Sequence, residues 1–254
     1  MIEIKNVTKY YGTFCAINDI SFKVEAGEIF GFLGINGAGK TTTLRMLAGV
    51  LQPNTGTLNI AGYDLQKEPE KAKGVTGYIP DRPYIYAKLT GREFLNFVAD
   101  LYSMDSHVAE ERIDLLLREY GLIEWQNELV DSYSHGMKQR LATIAAIVHS
   151  PKVLIIDEPM VGLDPHGAKL LKDSLRKYAQ NDMSIILSTH SLNVAEEVSD
   201  RVAIIHNGSI LTIGTLEELR EQTGGTEDGL EKMFLDITAP SVPASVPASV
   251  VSEG

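Results

Sequence analysis

Eight consecutive residues, Gly34-Ile35-Asn36-Gly37-Ala38-Gly39-Lys40-Thr41, have the spacing of a loop that wraps a phosphate chain. Such a loop acts through its backbone, because glycines let it curl until successive N–H groups face phosphate oxygens. Lys40 is then placed to reach the β- and γ-phosphates, and the Thr41 hydroxyl to ligate Mg²⁺. A second group of reactive types ends an apolar run: Val153-Leu154-Ile155-Ile156 leads into Asp157-Glu158-Pro159. Adjacent carboxylates at the C-terminal end of a buried parallel strand lie where α/β sheets bind ligands. A solvated acidic turn is the other reading of the same residues.

Three further sites have two readings each. Ser184 to Leu187 forms another buried strand that ends in Ser188-Thr189-His190, and His190 there is either a satisfied loop residue or a sensor of the terminal phosphate. In Tyr133-Ser134-His135-Gly136-Met137, Ser134 is placed to cap a helix running through Leu141, Ile144 and Val148 to Pro151. The free N–H groups of that helix start offer an anion site or simply an ordinary cap. Tyr10 and Tyr11 either stack on a planar ligand or cover a sheet edge.

The elements that must position these groups are legible around them. Glu28-Ile29-Phe30-Gly31-Phe32-Leu33 reads as a buried strand and Thr42 to Ala48 as the helix it feeds, which is the context the glycine loop requires. Strands are expected at Ile2 to Val7, Cys15 to Val24, Thr57 to Ile60 and Val75 to Asp81, the last ending in Pro80-Asp81. From about residue 84 to 150 the pattern turns helical. Thr90 and Glu93 form a capping box before Phe94, Phe97, Val98, Leu101 and Tyr102, and a second helix starts near Ser106 and stops at Gly121. This stretch reads as a helical insert in an α/β core. Asp164 and Pro165 start a later helix, Asn207-Gly208 turns a hairpin, and Thr215 with Glu218 boxes the last helix. The Ser-Val-Pro-Ala repeats of residues 239–254 have no periodicity and read as disordered.

Composition narrows the function. With 34 acidic against 23 basic residues the net charge is −11, opposite to the basic footprint of a general nucleic-acid binder. The single Cys15 can form no internal disulfide, as fits a reducing cytosol, and reads as a small core residue. The N-terminus alternates like a strand, without a signal-peptide pattern, and no apolar run approaches the roughly 18 residues needed to span a bilayer.

The ordered set of motifs over residues 1–238 resembles the ATP-binding subunit of ABC transporters, of the ABC-2 or drug/lipid exporter type. The resemblance implies a P-loop NTPase core with an N-terminal antiparallel β-subdomain and an inserted helical subdomain. It makes residues 34–41 the Walker A loop, with Asn36, Gly37, Ala38, Gly39, Lys40, Thr41 and Thr42 binding ATP, and places adenine on Tyr11. Val153 to Asp157 becomes Walker B, Ser134-His135-Gly136-Met137 the signature, Gly162-Leu163-Asp164 the D-loop and His190 the switch histidine. Asp157, Thr41 and Asp81 would then hold Mg²⁺, Glu158 would polarise the attacking water, and Lys40 and His190 would act on the γ-phosphate. The family completes each site across a dimer, so Ser134 and Gly136 would contact the ATP of a second copy or a homologous subunit. Integral membrane permease subunits would be the other partners, with the chain on the cytoplasmic side of the membrane. Two residues depart from the pattern: Asp81 where glutamine or glutamate is usual, and His135 where glycine is usual. A soluble ABC-type ATPase or an ATP-dependent clamp is the alternative function.

Overall fold

The computed structural model describes residues 1–160, 163 and 165–222. Gly162 and Asp164 of the D-loop, and the tail from 239, lie outside the described residues. The chain order is β1 (Ile2–Tyr11), β2 (Phe14–Val24), β3 (Ile29–Leu33), α1 (Lys40–Leu47), β4 (Thr55–Ile60), β5 (Tyr63–Asp64), α2 (Pro69–Gly74) and β6 (Thr76–Ile79). Three helices follow before the next strand: α3 (Gly91–Leu101), α4 (Ser106–Glu119) and α5 (His135–Ile147). The remainder is β7 (Val153–Asp157), α6 (Pro165–Ala179), β8 (Ser184–Thr189), α7 (Leu192–Val198), β9 (Arg201–His206), β10 (Ser209–Gly214) and α8 (Leu216–Gln222).

The strands form two sheets. β2-β1-β4-β5 is antiparallel, and β10-β9-β3-β8-β7-β6 is parallel except for its β10 edge. Every residue of β3, β7 and β8 is buried, which is why these strands read as unbroken apolar runs and not as alternating ones. Although it follows directly on the antiparallel strands, β3 sits at the centre of the larger sheet. Phe22 of β2 stacks on Phe30 of β3, with ring centroids 5.2 Å apart, and so joins the two sheets through one apolar core.

The helical insert packs as a second core on the other face. Its entry is the expected capping box, in which the Thr90 hydroxyl accepts the Glu93 N–H at 3.2 Å and the Glu93 carboxylate accepts the Thr90 N–H at 2.8 Å. Ser134 caps α5 by accepting the Met137 N–H at 3.3 Å. At the far end, His149 stacks on Tyr102 with centroids 3.6 Å apart and bonds the Thr76 carbonyl, so the ends of α3 and α5 meet at the start of β6. The sequence pattern did not reveal α2, since six residues with one buried side chain, Ala72, carry no helical stripe.

Candidate active site

The glycine loop leaves β3 at Leu33 and enters α1 at Lys40. Gly39 has φ +111°, and a Cβ there would lie 2.5 Å from Ile17 Cδ1 and 3.0 Å from the Ala16 carbonyl oxygen, so only glycine fits. It also brings no side chain to cap the helix, which leaves the first N–H groups of α1 free for a ligand. The loop is braced from behind. The Gly208 N–H donates to the Ala38 carbonyl at 2.9 Å, the Gly208 carbonyl accepts the Asn18 N–H at 2.8 Å, and the Gly34 N–H donates to the Thr189 carbonyl at 3.2 Å.

Two strand ends deliver charge to this loop. The Lys40 side chain is 5% exposed, and its Nζ donates to the Gly34 carbonyl at 2.7 Å while lying 3.3 Å from Glu158 Oε1. The other oxygen, Glu158 Oε2, is 2.9 Å from His190 Nδ1. Glu158 is therefore shared between the loop lysine and the strand-end histidine. Its φ of +51° puts a non-glycine residue in the left-handed region, a strain of about 1 kcal/mol that only surrounding contacts sustain. Asp157, 1% exposed, accepts the Ser188 hydroxyl at 2.6 Å. Burial first, and then the charge of Asp157, hold the Tyr78 phenol above its ordinary pKa.

These groups border a cleft of about 540 Å³. Of the residues selected from sequence, Tyr11, Asn36, Gly37, Gly39, Lys40, Thr41, Thr42, Asp81, Glu158 and His190 line it. Asp157 is buried and is not among the residues that line it. Ala38 is buried and its N–H donates to the Ile35 carbonyl at 3.1 Å, so neither its side chain nor that N–H faces the cleft. Ser134 and Gly136 do not line it either. His135 borders a neighbouring cleft of about 380 Å³ that shares Asp81. A groove of about 840 Å³ lies at the opposite end of the parallel strands, beside Met1, Arg112 and Lys177, away from the phosphate loop.

Comparison with known proteins decides the family. The model of the ABC transporter family matches residues 17–161. The chain belongs to the ABC transporter family. The linearmycin resistance ATP-binding protein LnrL of Bacillus subtilis (strain 168) is 34% identical over 241 residues, which is 92% of this chain and 78% of that protein. The ABC-type transporter ATP-binding protein EcsA of the same organism is 34% identical over 238 residues, 94% of this chain and 96% of that protein. A solved ATP-binding subunit of an ABC transporter superposes with a TM-score of 0.88 at 34% identity, covering 94% of this chain and 99% of that one.

Within this ABC cassette the glycine loop, Glu158 at the end of β7, Asp81 and His190 converge in one chain, whereas Ser134 stays apart. Sequence reasoning missed two members of the site. Phe14 is the cross-strand partner of Tyr11, is 64% exposed and lines the cleft. Its signal was an exposed aromatic directly after the Gly12-Thr13 turn. Ser188 was quoted only as part of a strand end, although a hydroxyl following Ile185-Ile186-Leu187 in a buried run must find a partner there. The hard oxygen donors Thr41, Asp157 and Asp81 suit Mg²⁺. The described residues contain no group of three or more histidine, cysteine, aspartate or glutamate side chains that could hold a metal ion.

Proposed function

We propose that this chain is an ATPase subunit that drives export through separate integral membrane subunits, and that two such subunits close around two ATP molecules. The observation that carries the reading is the shared position of Glu158, 3.3 Å from Lys40 and 2.9 Å from His190 over a phosphate-binding loop. The single cassette of residues 1–238 includes the helical lobe at about 84–150.

The roles follow from this geometry. Tyr11 takes the adenine ring, and the loop N–H groups with Lys40 take the phosphates. An incoming γ-phosphate replaces the Glu158 carboxylate at Lys40, because both are oxyanions competing for one ammonium group. Glu158 is thereby released to accept a proton from the attacking water, while His190 turns from Glu158 to the phosphate. Thr41, Asp157 and Asp81 are the residues that would hold Mg²⁺, which when bound neutralises charge on the phosphates.

Pairing of two cassettes is supported by the position of Ser134 and Gly136 outside the cleft of their own chain. The helix start they form has donors left over for a phosphate presented by a partner. Docking to a membrane subunit is supported by the aromatic surface just after Asp81. Tyr84 is 84% exposed, and Tyr86 packs edge-on to both Tyr84 and Phe97. Such a contiguous exposed aromatic patch marks a contact site. No helix among the described residues is long and apolar enough to cross a membrane, and the chain's proposed place is the cytoplasmic face of the membrane, beside that partner. Export is supported by the Ser134-His135-Gly136-Met137 signature and by a relative named for linearmycin resistance. The net charge of −11 speaks against a nucleic-acid partner.

The test is steady-state ATPase of the purified chain with Mg²⁺ over a range of protein concentrations, beside Glu158→Gln. A rate per subunit that rises with concentration, and falls by about 10²-fold or more in the variant, is the expected result. A variant that hydrolyses ATP like wild type refutes Glu158 as the base. Co-sedimentation with ribosomes, in place of co-purification with an integral membrane protein, refutes the transport role.

A further inference from the structure

β7 and β8 run parallel in a register that sets Asp157 directly beside Ser188. Ser188 is fully buried, and its hydroxyl serves two consecutive residues of the neighbouring strand end. It donates to Asp157 Oδ1 at 2.6 Å and accepts the backbone N–H of Glu158 at 2.9 Å. A serine has one proton and two lone pairs, so one small group both orients the buried carboxylate and fixes the peptide that follows it. No other side chain among the described residues is hydrogen-bonded to Asp157. The second bond falls at the one place where the backbone must be held, since Glu158 enters the left-handed region there.

We infer that Ser188 is the positioning residue for both carboxylates of the site: it fixes the rotamer of Asp157 and, through the Glu158 N–H, the direction in which the Glu158 side chain leaves the strand. Ser188 does not line the cleft and touches no substrate, so it acts only through its neighbours. An isolated buried serine could satisfy itself on a carbonyl of its own chain segment. This one spans to the adjacent strand and meets the two residues on which hydrolysis depends. Without the hydroxyl, Asp157 loses its only side-chain donor among the described residues, and the strained turn at Glu158 loses the bond that sets its exit toward Lys40 and His190.

The inference rests on the proposed roles of Asp157 and Glu158, so the experiment includes variants of both. Ser188→Ala, Ser188→Thr, Asp157→Asn and Glu158→Gln are compared by ATPase kinetics, by binding of a fluorescent ATP analogue with and without Mg²⁺, and by thermal melting. For Ser188→Ala the expected result is a kcat lower by about 10–100-fold, the loss typical of removing a group that orients a metal or catalytic ligand. KM for ATP stays within about threefold, because the loop that binds phosphate is untouched. The strengthening of analogue binding by Mg²⁺ shrinks, while binding in its absence does not. Ser188→Thr, which keeps the hydroxyl, recovers most of kcat. If Ser188→Ala does not fold, Ser188→Cys, similar in size but a weak donor, takes its place.

A Ser188→Ala enzyme with kcat within about twofold of wild type, beside inactive Asp157→Asn and Glu158→Gln, overturns the inference and leaves the site assignment standing. Equal loss of analogue binding with and without Mg²⁺ also overturns it, since that is the mark of a general packing defect. Full activity in Asp157→Asn and Glu158→Gln refutes the site assignment itself, and the inference with it.

Discussion

His149 makes stability depend on pH in a way that the structure allows to be worked through. The ring is part-buried against Tyr102, its Nε2–H donates to the Thr76 carbonyl at 3.2 Å, and Nδ1 is buried without a hydrogen-bond partner. Burial lowers its pKa from 6.5 to about 4, with the bond to Thr76 opposing in part. Because the folded value lies below the unfolded one, the stabilisation is fully present above pH 6.5 and is lost as pH falls toward 4. The full gap is worth about 3 kcal/mol, reduced to about 2 kcal/mol by the solvent contact the ring retains. Between pH 7 and 5.5 about 1 kcal/mol of this is lost, or about 2–4 °C in Tm for a chain of this size. The quantity to measure is a difference, which removes contributions common to both proteins. Thermal melting of wild type and His149→Phe, which keeps a flat ring against Tyr102 but cannot titrate, is followed from pH 7 to 5.5. Wild type should lose about 2–4 °C more than the variant across the interval. Parallel curves would refute the argument, since they would mean that the ring is solvated enough to protonate in place.

Two further perturbations bear on the nucleotide loop and on the aromatic surface. Gly39→Ala forces a Cβ against Ile17 at a φ of +111° and should lower stability by about 2 kcal/mol while abolishing nucleotide binding, read by melting and by analogue fluorescence. Tyr84→Ser with Tyr86→Ser removes the exposed aromatic patch. ATPase of the isolated chain should stay within about twofold of wild type, while co-purification with a membrane partner is lost.

How far the sequence discloses this molecule depends on whether a feature is local. The Thr90–Glu93 box, the Ser134 cap and the Asn207-Gly208 turn are satisfied by residues a few positions away, and each stands where its pattern predicts. The glycine loop is similar, since its shape follows from glycine φ values and a helix start. What sequence could not disclose is pairing between distant segments. Nothing near Glu158 announces that it bridges Lys40 and His190, because those three residues meet only when β3, β7 and β8 lie side by side. The double duty of Ser188 depends on the parallel register, and the place of Phe14 beside Tyr11 on an antiparallel one with irregular steps. The turn inside the loop is likewise invisible in sequence: the Ala38 N–H donates to the Ile35 carbonyl.

The central position of β3 sets an order for the birth of this protein. β3 pairs only with β8 and β9, and the brace on the glycine loop comes from Gly208. A ribosome that has made Ile29-Phe30-Gly31-Phe32-Leu33 must add roughly 150 more residues before either neighbour exists, some ten to thirty seconds at ordinary rates of synthesis. During that interval this buried strand of the nucleotide site has no partner for its backbone. The antiparallel sheet, whose β1, β2 and β4 are all made by residue 60, can form early and shelter Phe30 beneath Phe22. The phosphate loop, written within the first fifth of the chain, gains its brace from behind only when the β9–β10 turn arrives.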